Sequence, residues 1–181
     1  MIQKYAKGLV FVFIDASNIY FSQIKLGWRI DFKKLIEYFK SNTQLGKIYY
    51  YTAYDKDYSK QRKFLDFLEI IGYIVRKKEV KFIEDSTREN GGFQKGNLDV
   101  ELTIDAVHNR DAFKSFVLFS GDSDFEALLK YMKGYGKNCI VISTKDHVSI
   151  ELIRQAKFVD LKKLKGEIEL KDNLKIKNPS N

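Results

Sequence analysis

The chain has few of the residues that form disulfides, soft-ligand metal sites or rigid turns. Its 181 residues include one cysteine, Cys139, one proline, Pro179, and two histidines, His108 and His147. A single cysteine excludes an internal disulfide and a zinc site built from cysteines, and two histidines far apart in sequence do not suggest a metal cage. No apolar run reaches the roughly 20 residues that a membrane helix requires. We therefore expect a cytoplasmic protein.

Basic residues, by contrast, are abundant. The 32 lysines and arginines outnumber the 24 aspartates and glutamates, so the net charge is +8 and the pI is about 9.3. This charge fits an anionic partner such as nucleic acid, although it does not by itself identify one. The length suits one domain with a substantial hydrophobic core.

Apolar runs alternate along the chain with segments of helical periodicity. β-Branched and aromatic runs predict strands, and apolar residues that recur every three or four positions predict helices. The predicted strands are residues 9–14, 47–54, 115–120, 137–143 and 157–161, and residues 73–83 are predicted to form one strand or a pair of strands. Because strands that alternate with helices imply right-handed crossovers, we expect an α/β fold with a mostly parallel central sheet flanked by helices. This domain should span residues 1–164, and residues 165–181 should form a charged C-terminal tail.

Two predictions concern the middle of the chain. The polar, glycine-containing stretch 84–94 is predicted to be a loop, and residues 95–109 are predicted to be a helix that begins at Lys95. Asp99 then lies near the N-terminus of this helix. Asp105 follows six residues later, which is a rotation of about 600° at 3.6 residues per turn, so the two aspartates do not share a face.

Aspartates also follow two of the predicted strands. Asp15 ends the first apolar run, and Asp122 and Asp124 follow a later one. Ligands of open α/β sheets bind at the carboxyl ends of the strands. Carboxylates in one cleft stay ionised together only when cations lie between them, and carboxylate and water ligands suit Mg²⁺ or Mn²⁺. The candidate metal ligands are Asp15, Asp99, Asp122 and Asp124, with Asp105 as a candidate outer residue.

Each of these residues also has an ordinary structural interpretation, because aspartate is common at helix N-caps and turns. Three further polar residues lie close to the aspartates in sequence. Asn18 could contact a metal-bound water or a phosphate, Ser120 could hold backbone or water, and Lys95 could contact a phosphate. The coincidence of acidic positions at two strand ends and one helix favours a metal that acts on a phosphodiester.

Four motifs, in this order, resemble those of the NYN-domain family, in its LabA-like branch, within the PIN-like nuclease superfamily. They are FIDASNIY, KGNLDVELTIDA, LFSGDSDFEALL and SIELIRQAKFVDL. The resemblance runs from about residue 9 to residue 164. Departures from the family pattern are small, the clearest being Ala127 where many relatives have proline.

The resemblance implies a single Rossmann-like (PIN-like) domain with an acidic Mg²⁺ or Mn²⁺ site and endoribonuclease activity on single-stranded RNA. Carried over to this chain, the catalytic and metal-binding residues are Asp15, Asp99, Asp122 and Asp124. The substrate-binding residues are Asn18, Lys95, Ser120 and Arg88, together with basic residues around 76–81. Tyr20, Phe21 or Phe93 could stack on bases. DNA as the target and association into a homodimer stay open.

Other functional classes share part of this pattern. A haloacid-dehalogenase-like phosphatase also has an aspartate after its first strand, but it requires a second aspartate where this chain has Ser17. A von Willebrand-type metal-adhesion site requires a serine where this chain has Ile19. A catalytically silent domain that binds RNA or acts as a scaffold is a third alternative. The sequence keeps every acidic position, which argues against a loss of activity.

Overall fold

The computed structural model describes residues 1–84 and 92–171, with the backbone alone for residues 81–84 and 92–95. These residues form a six-stranded sheet and a separate two-stranded hairpin. The strands are β1 (Leu9–Asp15), β2 (Gln44–Tyr54), β3 (Ile74–Glu79), β4 (Lys81–Glu84), β5 (Gly92–Lys95), β6 (Ser115–Phe119), β7 (Asn138–Ser143) and β8 (Lys157–Asp160). The helices are α1 (Ala16–Leu26), α2 (Phe32–Asn42), α3 (Ser59–Ile71), α4 (Asp99–His108), α5 (Glu126–Gly134), α6 (Ile150–Gln155) and α7 (Lys165–Ile168).

The large sheet has the order β3-β2-β1-β6-β7-β8. Every neighbouring pair in it is parallel, which confirms the predicted α/β architecture. The chain runs outward from β1 through β2 to β3 and then returns to place β6 beside β1. The strand order therefore reverses between β1 and β6, and such a reversal opens a crevice at the carboxyl ends of the two strands.

Helices cover both faces of this sheet. Along β1, Val10, Val12 and Ile14 pack against one core with α1, α2, α3 and α7, whereas Phe11 and Phe13 pack against a second core with α4, α5 and α6. Because both faces are buried, the strands are apolar throughout rather than alternating, as a parallel sheet requires. The result is a three-layer domain with its strand ends open at one edge.

Two helices begin or end at residues whose chemistry favours a helix end. Asp31 caps α2 by accepting hydrogen bonds from the backbone N–H groups of Lys33 and Lys34, as an aspartate at an N-cap is expected to do. Gly72 ends α3 in the left-handed conformation, at a φ of 107°, which glycine adopts without steric cost. Both ends were predictable from the sequence.

The structure corrects the predictions for the two ends of the loop 84–94 and for the helix 95–109. Glu84 ends β4, whereas residues 85–91 of the predicted loop lie outside the described residues. Residues Gly92–Lys95 form β5, which pairs antiparallel with β4, so Lys95 ends a strand and does not begin a helix. Helix α4 begins at Asp99 because the buried helical spacing starts only at Leu98 and continues at Leu102 and Ala106. Residues Gly92–Lys95 pair with Lys81–Glu84 instead.

The described part of the predicted tail packs against the domain. Ile168, in α7, is fully buried in the core that contains α1 and α2, and Glu169 forms an antiparallel bridge with Ile30. The division of the chain at residue 164 stays a prediction. Among the described residues, no helix is both long enough and apolar enough to cross a membrane.

Candidate metal centre

Asp15 links the end of β1 to the start of α1. It is 8% exposed, and its Oδ1 accepts hydrogen bonds from the Ser17 N–H at 3.1 Å, the Ser17 hydroxyl at 2.6 Å and the Asn18 N–H at 3.3 Å. Its Oδ2 accepts a hydrogen bond from the Ser120 hydroxyl, which follows β6, at 3.0 Å. The positive end of the α1 dipole and these donors hold a negative charge between β1 and β6.

The turn after β6 is fixed by hydrogen bonds from both sides. The Gly121 N–H donates to Asn18 Oδ1 at 2.9 Å, and the Asp122 N–H donates to the Ser120 hydroxyl at 3.2 Å. Asp122 Oδ1 in turn accepts from the Asp124 N–H at 3.0 Å. A side chain at Gly121 would bring its Cβ to 2.2 Å from the His147 carbonyl oxygen, so only glycine allows this close approach.

Asp99 reaches the same edge from the first residue of α4. Its N–H donates to Asn97 Oδ1 at 2.7 Å, and its Oδ2 accepts from Asn97 Nδ2 at 2.5 Å. Just before it, Gly96 lies so close to β2 that an added Cβ would stand 2.4 Å from Ala53 Cβ. This contact sets the N-terminus of α4 against the carboxyl end of the sheet.

Three aspartates converge at this edge. Asp99, Asp122 and Asp124 each place one carboxylate oxygen within 4.8 Å of the other two. Asp99 and Asp122 are half-buried, whereas Asp124 is exposed. Asp15 is not one of the three, but its charge acts on Asp99. Asp99, Asp122 and Asp124 together form what we call the acidic cluster.

The acidic cluster carries uncompensated negative charge. Burial raises the pKa of Asp99 above its ordinary value, the charges of Asp15, Asp122 and Asp124 raise it further, and the hydrogen bond from Asn97 opposes them. Among the side chains that the structure describes, no lysine or arginine forms an ion pair with any of these aspartates. The missing positive charge is what a bound cation would supply.

Asp105 belongs to a different set of contacts. It accepts a hydrogen bond from the Tyr51 hydroxyl at 3.0 Å and forms an ion pair with Arg76, whose Nε lies 2.8 Å from Asp105 Oδ2. The hydrogen bond to Asp105 also raises the pKa of Arg76. The two aspartates of α4 thus face different partners, in agreement with the rotation expected from their spacing.

A cleft of about 340 Å³ opens beside Asp15 and Asp99, between α1, the end of β2 and α4. Tyr20 and Phe21 line it from α1, and each is 59% exposed. Tyr51 lines its opposite side. Two of the three aromatic residues proposed for base stacking therefore stand at this cleft, while the Phe93 side chain lies outside the described residues.

The other residues predicted to bind substrate have mixed outcomes. Asn18 and Ser120 hold the turn after β6 and Asp15, as described above. Lys95 ends β5, where the structure describes the backbone alone, and Arg88 lies outside the described residues. Of the basic residues around 76–81, Arg76 is paired with Asp105, and Lys78 is paired with Glu101 at 2.7 Å.

Sequence reasoning missed three residues that shape the site. Asn97 precedes Asp99 by two positions, which is a recognisable signal for an asparagine that holds a helix start. Gly96 belongs to the quoted KGNLDVELTIDA motif, but its role, like that of Tyr51, depends on the packing of α4 against β2 and could not be derived from the sequence. The missed residues all position the aspartates and add no new ligand.

The fold and the site define a parallel α/β domain with an acidic centre at its reversal of strand order. The chain belongs to the NYN domain family, whose model matches residues 9–162. This membership confirms the family resemblance of the four motifs.

Two known proteins are similar to this chain along most of its length. The low amplitude and bright protein LabA of Synechococcus elongatus is 34% identical over 161 residues, which are 87% of this chain and 86% of that protein. The crystal structure of a protein of unknown function from Vibrio parahaemolyticus superimposes with a TM-score of 0.74 at 25% identity, over 91% of this chain and 97% of that one. The second likeness supports the three-layer parallel fold.

Proposed function

We propose that this protein is a metal-dependent endoribonuclease that hydrolyses phosphodiester bonds of single-stranded RNA. The observation that carries the proposal is the acidic cluster, whose oxygens lie within 4.8 Å of one another where the strand order reverses. The NYN domain family, to which the chain belongs, is generally a family of nucleases. The net charge of +8 suits a polyanionic substrate.

The residues present fit a hard divalent cation. The acidic cluster offers carboxylate oxygens without nitrogen or sulfur donors, a set that suits Mg²⁺ or Mn²⁺ better than Zn²⁺. We assign Asp99, Asp122 and Asp124 to holding the ion, and Asp15 to adding negative charge beside it. When bound, such an ion would offset charge on the phosphate and lower the pKa of water.

The neighbouring side chains have separate tasks. Asp124 is the exposed member of the acidic cluster, so we assign the carboxylate oxygen that does not hold the ion to orienting the attacking water. Asn18 positions the turn after β6 through its Oδ1, and we assign its Nδ2 to a phosphate oxygen of the RNA. Ser120 orients Asp15, and Lys95 and Arg88 stay proposed contacts to the RNA backbone.

Single-stranded RNA fits the cleft better than a duplex does. Exposed Tyr20 and Phe21 stand beside Asp15 and Asp99, and unpaired bases can stack on such rings. Paired bases cannot. A cytoplasmic location and a homodimer stay predictions.

The contacts of Asp15 count against the phosphatase alternative. A nucleophilic aspartate must present a free oxygen to phosphorus. Here Oδ1 of Asp15 already accepts three hydrogen bonds and Oδ2 accepts one from Ser120. Asp15 is therefore better placed to shape the electrostatics of the site than to attack.

The decisive experiment compares substrates and metals. End-labelled single-stranded RNA, the same sequence as DNA, a duplex RNA and p-nitrophenyl phosphate are incubated with the protein in Mn²⁺, in Mg²⁺ and in EDTA. We expect cleavage of the single-stranded RNA in either metal and none in EDTA, with Asp122→Asn reduced to background while its circular-dichroism spectrum stays native. Hydrolysis of p-nitrophenyl phosphate without RNA cleavage would instead identify a phosphatase, and inactivity on every substrate would indicate a silent domain.

A further inference from the structure

A second, larger depression adjoins the cleft. It has a volume of about 1110 Å³ and lies between α1, α2, α3 and residues 169–171. It shares Ala16, Tyr20 and Tyr50 with the cleft. The two depressions therefore adjoin at these residues, of which Tyr20 is exposed, and we call the larger one the α1 groove.

Several aromatic and apolar side chains that line the α1 groove are exposed. Tyr20, Ile24 and Phe67 are 59%, 62% and 40% exposed, respectively, and all three line the groove. Trp28 lines it too but is buried. Large side chains that stay exposed along one depression are typical of a binding surface.

The rim of the α1 groove is basic. Arg29, Lys33 and Lys171 line it and are exposed, and none of them forms an ion pair with another side chain in the part of the chain that the structure describes. The two acidic lining residues have internal partners. Asp31 caps α2, and Glu169 lies 3.5 Å from the Lys165 amine.

We propose that the α1 groove binds the single-stranded RNA segment that flanks the scissile phosphate, with bases stacked on Tyr20 and Phe67 and phosphates at Arg29 and Lys33. The inference rests on the proposed function, because the groove adjoins the cleft that Asp15 and Asp99 line. Exposed aromatic rings beside unpaired cations are the features with which proteins bind single strands without reading their sequence. An apolar peptide would use the rings but would leave the cations unmatched.

The test measures binding separately from cleavage. In EDTA, a fluorescein-labelled 12-nucleotide single-stranded RNA is titrated with the protein, and anisotropy is followed at several salt concentrations. We expect Phe67→Ala to weaken binding about tenfold, since stacking on an aromatic ring contributes roughly that factor or more per base. Arg29→Gln combined with Lys33→Gln should lower the slope of log affinity against log salt by about 1.4, that is, about 0.7 for each lost phosphate contact.

Matched control variants come from the same helices. Ile70 in α3 is 83% exposed and Lys40 in α2 is exposed, and neither lines the groove. Ile70→Ala and Lys40→Gln should leave affinity and salt slope unchanged. The inference is overturned if Phe67→Ala and the double variant bind like the controls, if the protein does not bind the 12-mer, or if sedimentation shows a dimer that Phe67→Ala dissociates without changing RNA affinity.

The cleavage assay keeps this inference distinct from the proposed function. Cleavage of RNA by the unmodified protein, with groove variants that bind normally, would overturn the inference and leave the nuclease standing. Binding that depends on Phe67, Arg29 and Lys33, without cleavage in any metal, would support the groove and overturn the nuclease.

Discussion

At the scale of single residues, the aspartates of the site differ in how much of their hydrogen-bonding capacity is already used. Asp15 has donors on both carboxylate oxygens. Asp124 is exposed, and Asp99 accepts a hydrogen bond from Asn97 alone among the described side chains. Carboxylates with free oxygens can bind a cation without losing protein contacts. The residues of the acidic cluster are therefore better suited than Asp15 to act as metal ligands.

The contrast between Asp99 and Asp105 leads to a prediction about catalysis. Asp99→Asn removes a proposed ligand, so activity should fall to background. Asp105→Asn weakens the contacts to Arg76 and Tyr51, which do not belong to the acidic cluster, and it should cost on the order of 10–100-fold, the usual loss for an outer partner. Arg76→Gln serves as the matched variant, because it removes the same ion pair.

Initial rates on single-stranded RNA, measured across a Mn²⁺ titration, check this ranking. Added Mn²⁺ should partly restore Asp105→Asn and Arg76→Gln but not Asp99→Asn. If Asp105→Asn had no cleavage activity and Asp99→Asn kept it, the metal ligand on α4 would be Asp105.

At the scale of elements, the features that could be predicted from the sequence are those that depend on the local pattern of apolar and polar residues. The parallel strands, the capping of α2 by Asp31 and the placement of Asp15 and Asp122 after strands all follow from apolar runs and their terminating residues. The hairpin that includes Lys95 was not predictable, since two four-residue strands have too little periodicity to distinguish them from a loop. The Tyr51–Asp105 contact was not predictable either, because it depends on how α4 lies across β2.

Gly121 shows how one element positions the site. An added methyl group would meet the His147 backbone at 2.2 Å, and a backbone carbonyl cannot rotate away as a side chain can. Gly121→Ala should therefore destabilise the domain by about 1–3 kcal/mol, the usual cost of overpacking. It should also reduce RNA cleavage, because the shift moves the adjacent Asp122.

Gly134→Ala is the matched control for that prediction. An added Cβ at Gly134, the last residue of α5, meets nothing within 4 Å, and a compatible glycine-to-alanine change stabilises by about 0.4–1 kcal/mol. Urea unfolding and RNA cleavage of the two variants provide the comparison. If Gly121→Ala were as stable as the unmodified protein, the backbone at His147 would be able to move away at little cost. The close contact with His147 would then not fix the turn after β6.

At the scale of the whole molecule, folding brings like charges together. Asp15, Asp99 and Asp122 are separated by 84 and 23 positions in the sequence, and the parallel crossovers bring them to one edge of the sheet. The unfolded chain keeps these charges apart in water. The native state therefore bears a repulsion that a cation would remove, and this links metal binding to the stability of the domain.

We predict that Mn²⁺ raises the melting temperature and that the increase grows with pH. Because the pKa of Asp99 is raised in the folded protein, the metal-free fold is favoured by protonation of Asp99. This contribution is fully present below the ordinary pKa of 3.8 and is lost as the pH rises through the raised native value. Protons and Mn²⁺ compete for the same oxygens, so the cation stabilises most where Asp99 is ionised.

Melting curves at pH 4 and pH 7, in EDTA and in Mn²⁺, test this link. At 100 times the dissociation constant a ligand adds about 2.7 kcal/mol, which for a domain of this size is a shift of about 5–10 °C. That shift should appear at pH 7 and shrink at pH 4. Asp122→Asn should melt higher than the unmodified protein in EDTA at pH 7, because one repelling charge is gone, and should respond little to Mn²⁺. A shift of equal size in Asp122→Asn, or a larger one at pH 4, would place the bound Mn²⁺ away from the acidic cluster.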